Sequence, residues 1–216
     1  MTQPVIFGDA SSIFVRGILI ALAEKGVAYG LVAEAEQPLV GSGERLPGEA
    51  VMEHGGFVVR GTGPILRYID DALPGPRLQP EAPRQRARMN RALEIHFGEA
   101  TPALGGQIVG RHLAEVLTGD WIAPASSENL PAGARRTIER LSDVLDRGPF
   151  FAGDIFTLAD AAVAPLFSYL MPLPEGDLLL APSSPLRAWW RLVSERDSVR
   201  GTRPKTGFFS MLLAAE

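Results

Sequence analysis

The sequence contains no cysteine in 216 residues. It can therefore form no disulfide framework, build no thiolate metal site and use no cysteine nucleophile, so any thiol in its chemistry comes from outside the chain. Histidine is also scarce, and His54, His96 and His112 lack metal-ligand spacing, so no metal is expected. Neither sign of charge dominates: 21 basic and 25 acidic residues give a net charge of −4. That balance offers no electrostatic attraction to nucleic acid or to an anionic membrane. No apolar run reaches the ~18 residues that a spanning helix needs, and no charged-then-apolar leader opens the chain. A soluble cytoplasmic protein is the expectation. What is present is 46% hydrophobic residues, enough for one large domain or two small ones.

The first third of the sequence alternates strand and helix signals. Residues 4–7 (PVIF) read as a short buried strand. After Ser11-Ser12, the spacing of Phe14, Ile18 and Leu22 predicts a helix, and Gly26 suits its left-handed end. Val27 to Ala33 reads as a second strand, and the breaker-rich 37–48 as a loop. AVME and FVVR, separated by His54-Gly55-Gly56, form a hairpin signal. Pro64 then suits the first turn of a helix that Thr62 caps.

Residues 73–83 (LPGPRLQPEAP) read as a stiff extended linker. Beyond it strand signals vanish, and helices are expected at 84–117 (disturbed near Pro102 and Gly105-Gly106), 131–147, 157–171 and 185–195. Thr157-Leu158-Ala159-Asp160 reads as a capping box, a folding signal that says nothing about substrate. The resulting division is residues 1–76, a linker at 77–83, and an all-α region at 84–216.

Three segments in this order carry a resemblance. SIFVRGILIALAEKGVAY has the S-x-F-V-R…L-x-E-K-G-x-x-Y pattern, FVVRGTGPILRYID resembles an E-S-x-A-I-x-x-Y-L turn and helix, and FFAGDIFTLADAAVAPLF resembles G-D-x-F-S-x-A-D-x-x-x-A-P. PLRAWWRLVSERDSVR adds a weaker match, with Asp197 where proline is common. Together they resemble the cytosolic glutathione transferases, of the serine type. The resemblance implies a thioredoxin-like α/β domain followed by an all-α domain, a homodimer, and glutathione or another small thiol as co-substrate.

It also implies site residues. In serine-type members a hydroxyl at the start of the first helix steadies the thiolate. Ser12 best matches that serine and Ser11 is its register neighbour; helix capping is the plainer reading of either. The acidic residue and serine that hold the γ-glutamyl group in the family read here as Gly61 and Thr62. Thr62 keeps a hydroxyl at a helix N-terminus, where an anion can bind. Gly61 offers no carboxylate to an ammonium. The family’s cis-proline position falls on Ala50, beside Val51, unless the register shifts to Pro47. A cis bond before a non-proline residue costs ~2.5–4 kcal/mol, so the expectation for Glu49–Ala50 is trans.

By the same resemblance Phe14, His96, Phe97, Trp121 and Tyr169 line a pocket for an apolar electrophile, although aromatics on amphipathic helices are often simply core. Arg16 and Arg60 are candidates for an anionic ligand, or surface residues in water. Two functional readings follow. One is an enzyme that adds glutathione or another small thiol to an electrophilic apolar substrate. The other is a non-catalytic ligand-binding or protein-interaction module that has lost ordinary glutathione binding, which Gly61 and Ala50 favour. Reductive deglutathionylation through a cysteine of the protein itself is excluded by composition.

Overall fold

The computed structural model describes residues 2–33, 49–119 and 125–204. The expected loop at 37–48 lies outside these residues.

Four short strands form one sheet: β1 (Val5–Phe7), β2 (Gly30–Val32), β3 (Val51–His54) and β4 (Phe57–Arg60), in the order β2-β1-β3-β4. β1 pairs parallel with β2 and antiparallel with β3, and β3 pairs antiparallel with β4 through the Gly55-Gly56 turn. Both turn glycines have φ of 60° and 83°, the conformation that a two-residue hairpin demands. A parallel β1–β2 pair needs a crossover, supplied by helix α1 (Ile13–Glu24). Helix α2 (Thr62–Ala72) follows β4. This is the α/β unit that the strand–helix alternation predicts and the thioredoxin-like domain that the resemblance implies.

The remaining described elements are helical: α3 (Pro83–Ile95), a π-helical segment (His96–Val109), α4 (Gly110–Thr118), α5 (Ala132–Leu145), α6 (Leu158–Leu170), α7 (Pro174–Leu179), α8 (Pro185–Ser194) and α9 (Asp197–Gly201). The short α7 and α9 were not legible, because one or two turns show too little periodicity to separate from loop. The expected disturbance near Pro102 is a long run of i→i+5 turns. Pro102 has no N–H to donate, Gly105 and Gly106 hold helical geometry weakly, and the Thr101 hydroxyl donates to the His96 carbonyl at 2.9 Å.

Every residue of α6 is buried, so it is the axis of the helical domain. α1 crosses it closely at Gly17, where a Cβ would stand 3.3 Å from the Ala162 Cα. The capping box is present. Asp160 accepts from the Thr157 N–H (2.9 Å) and hydroxyl (2.8 Å), and also from the Phe151 N–H (3.2 Å) and Trp189 Nε1 (2.8 Å). Two further clamps hold the elements together, one tying α1 to α2 and the linker and one joining the two domains. Lys25 Nζ meets Asp70 Oδ1 at 3.1 Å and the Pro76 carbonyl at 3.0 Å, while Asp70 also accepts from the Leu78 and Gln79 amides. Arg196 grips Glu24 with two bonds of 2.7 and 2.6 Å. The bidentate geometry fixes the end of α1 against the start of α9.

Candidate functional site

The close α1–α6 crossing brings the start of α1 beside the end of α6. Tyr169 near that end donates its hydroxyl to the Ser11 carbonyl at 2.7 Å. Behind it, Arg16 lies wholly buried, donating to Ser168 Oγ (2.6 Å) and the Thr202 carbonyl (3.1 Å), with its guanidinium 5.0 Å from the Tyr169 ring centre. Burial holds the Arg16 pKa below its ordinary value, with Tyr169 acting in the opposite direction. Arg16 is therefore a buried cation within the domain junction and faces no solvent.

In front of this junction opens a cavity of about 690 Å³. Asp9, Ser11 and Ser12 form its polar end, and α1 adds Ile13 and Phe14. The π-helical segment supplies Phe97, Thr101, Pro102, Gly105 and Gly106, and Leu166 and Tyr169 come from α6. Phe14 and Phe97 lie nearly parallel, with ring centres 6.5 Å apart. Among the described residues, Asp9 is the one carboxylate that lines the cavity, and no lysine or arginine does.

The two candidate serines differ in engagement. Ser11 donates its hydroxyl to Asp9 Oδ1 at 2.7 Å, and its N–H bonds the same oxygen at 2.7 Å. Ser12 is the N-cap residue of α1, yet its hydroxyl makes no hydrogen bond with a described residue. Among the described residues no side chain caps α1, which leaves its first amides and the Ser12 hydroxyl at the cavity.

Of the other residues singled out in the sequence, Phe14, Phe97 and Tyr169 line this cavity with the two serines. Trp121 lies outside the described residues, as does Pro47. His96 is buried behind Phe97, with its ring centre 4.9 Å from that of Phe97, and is not part of the lining. Asp9, Thr101, Gly105 and Gly106 were not identified as site residues from sequence. The Pro102…Gly105-Gly106 irregularity was the available signal for the last two, because a bare backbone in a helix marks room for a neighbour.

His96 carries a pH consequence. Burial lowers its pKa to about 4, and its Nδ1 has no hydrogen-bond partner among the described residues. A group whose pKa is lower folded than unfolded loses stabilisation as pH falls from the unfolded value, about 6.5, towards the folded one. The contribution lost between pH 7 and 5 is roughly 2 kcal/mol. His96→Leu is expected to abolish that part of the acid sensitivity, read as urea-unfolding free energy at the two pH values. An unchanged pH dependence would show that His96 is not buried neutral.

The Gly61–Thr62 turn does not line this cavity. Gly61 has φ 81° and ψ 141°, occupies the N-cap position of α2, and donates its N–H to the Ala50 carbonyl at 2.9 Å. Thr62 is thus the first helical residue, where the sequence suggested the cap. Its hydroxyl makes no hydrogen bond with a described residue, and the residue is largely buried. Ala50 and Val51 are buried, and among the described residues no peptide bond is cis. The neighbouring carboxylates are committed elsewhere. Glu53 bonds the Gly56 N–H, Asp70 the buried Lys25, and Asp71 is 3.5 Å from Arg77.

Comparison with known proteins agrees with this fold. Residues 124–191 match the family model of the glutathione S-transferase C-terminal domain. A stringent starvation protein A homolog of Pasteurella multocida is 28% identical over 205 residues, covering 89% of this chain and 86% of its own. Glutathione S-transferase F9 of Arabidopsis thaliana is 23% identical, with 88% and 92% covered. The crystal structure of glutathione transferase F7 from Populus trichocarpa superposes with a TM-score of 0.73 at 20% identity, covering 95% of this chain and all of that one. The thioredoxin-like sheet and helical domain of this chain make up the glutathione-transferase fold, and residues 124–191 are similar to the C-terminal domain of that family.

Proposed function

We propose that the protein is a thiol-conjugating enzyme of the serine kind, adding glutathione or another small thiol to an electrophilic carbon of an apolar substrate. The observation that carries this reading is the Ser12 hydroxyl, with no hydrogen bond to a described residue, at a helix N-terminus that opens on a largely apolar cavity. A helix start carries about half a positive charge, and a hydroxyl adds one donor to a thiolate. A thiol of pKa near 8.5 is mostly protonated at neutral pH, so a depression of one or two units lowers the barrier by ~1.4–2.7 kcal/mol. The rest comes from holding thiol and electrophile together. Thr62 and the first amides of α2 hold a carboxylate of the thiol, next to the backbone edge at Ala50 and Val51. The same proposal includes a homodimer and a cytoplasmic setting, both resting on family resemblance.

A second reading is a non-catalytic binding module. The glycine at 61 and the Asp9 carboxylate in the cavity favour it, since a negative group beside Ser12 opposes a thiolate. The relative of Pasteurella multocida carries a name other than transferase. Calorimetric titration with glutathione, beside Ser12→Ala and Thr62→Ala, separates the two. For the enzyme, binding is submillimolar and weakens in Thr62→Ala. Ser12→Ala retains binding but raises the pKa of the bound thiol by about one unit, seen in thiolate absorbance. No heat at several millimolar glutathione turns the search to other ligands.

A further inference from the structure

We infer that Arg16 sets the electrostatics of the proposed site: its buried charge, one helical turn behind Ser12, favours the thiolate form of a thiol held at the start of α1. The inference rests on the function proposed above, which places that thiol at Ser12. Arg16 donates its backbone N–H to the Ser12 carbonyl at 2.9 Å, so the two residues share one face of α1. A helical side chain leans towards the N-terminus, which carries the guanidinium back along the first turn. There it stands 5.0 Å from the Tyr169 ring centre, and the Tyr169 hydroxyl donates to the Ser11 carbonyl at 2.7 Å. The cation is thus packed against the side chain that holds the Ser11–Ser12 turn.

The charge has no other use in the fold. Its two acceptors, Ser168 Oγ at 2.6 Å and the Thr202 carbonyl at 3.1 Å, are neutral, and a neutral donor would satisfy them. Among the described residues no carboxylate pairs with Arg16, and its Nη2 makes no hydrogen bond. Tyr169 stays a neutral phenol, because burial raises its pKa. Arg203, the other charged group that acts on Arg16, has the same sign. An unpaired cation is costly to bury, and the low dielectric around it extends its field. Asp9 opposes it at the cavity, but Asp9 is exposed, so water and salt screen it while Arg16 acts through protein.

The absence of cysteine allows a direct test, because Ser12→Cys introduces the single thiol of the chain at the place in question. Its pKa is read from the pH dependence of thiolate absorbance and of alkylation by iodoacetamide, with no ligand required. That thiol is expected to titrate below the ordinary value of about 8.5. Adding Arg16→Gln, which keeps a donor for Ser168, raises the value by about one unit, and Arg16→Lys in its place recovers most of the difference. The same pKa with Arg16→Gln as without it overturns the inference. A second measurement needs no change at Arg16. In about 1 M salt surface charges are screened and a buried one is not, so the depressed pKa persists; a return to the ordinary value overturns the inference. A low, Arg16-dependent thiol pKa without glutathione binding sinks the proposed enzyme and leaves the role of the charge intact. Glutathione binding with a thiol pKa indifferent to Arg16 does the reverse.

Discussion

Gly61→Glu is expected to strengthen glutathione binding about ten- to a hundredfold and to destabilise the fold by roughly 1–3 kcal/mol. The gain is the charge-assisted bond between a carboxylate and the γ-glutamyl ammonium, ~1.5–3 kcal/mol. The cost comes from the backbone. Gly61 sits at φ 81° and ψ 141°, where a residue with a Cβ is strained by about 1–3 kcal/mol. Space is not the obstacle, because a Cβ there stands 3.6 Å from the nearest atom, the Pro64 Cδ. Gly61→Ala is the control, since it takes the same strain and supplies no carboxylate. Calorimetry and urea unfolding on both variants give the answer. Equal affinities for glutathione in the two would place the ammonium elsewhere and remove the basis for reading Gly61 as a lost anchor.

Asp160→Ala is expected to cost roughly 3–5 kcal/mol. Its carboxylate is fully buried and accepts from the Thr157 amide and hydroxyl, the Phe151 amide and the Trp189 indole. Removing it leaves those donors in the core without an acceptor, each a penalty of about 1–3 kcal/mol before relaxation. The loss is spread across the structure, because this one carboxylate hydrogen-bonds the Phe151 amide, the start of α6 and Trp189 of α8. Loss of Trp189 fluorescence polarisation and a fall in urea midpoint measure it. A change below 1 kcal/mol would mean that water replaces the carboxylate without cost.

The same residue has a pH signature opposite to that of His96. Burial is the largest influence on Asp160 and pushes its pKa up to about 6, with the hydrogen bonds to Trp189, Thr157 and Phe151 acting against it. A carboxyl whose folded pKa exceeds its unfolded value contributes most at low pH, and that contribution is lost as pH rises through about 4 to 6. Between pH 7 and 5 Asp160 thus adds roughly 1 kcal/mol while His96 removes roughly 2. Asp160 offsets about half of the His96 effect in the native chain. In His96→Leu the Asp160 effect stands alone, so that variant becomes more stable on moving from pH 7 to 5 as far as these two groups decide it.

Much of the architecture was legible from local signals with a period or a fixed turn chemistry. The Phe14, Ile18 and Leu22 spacing specified α1, the paired glycines at 55 and 56 the hairpin, and Thr157…Asp160 the start of α6. Each is written within a few residues of the chain. Ser12 and the Phe14, Phe97 and Tyr169 wall were accessible only through resemblance, because the residues come from separate elements and nothing local links them.

The sequence by itself determined that no cysteine chemistry operates here, that a strand–helix unit precedes a run of helices, and that residue 61 carries no carboxylate. Those are properties of composition, periodicity and a single side chain. The tertiary structure decided which serine is available, since Ser11 is tied to Asp9 and Ser12 is not. It placed Arg16 in the interior and Asp160 under four donors, and it turned the Gly105-Gly106 irregularity into the wall of a cavity. These outcomes depend on how closely α1 crosses α6, a distance set by contacts between residues more than a hundred positions apart.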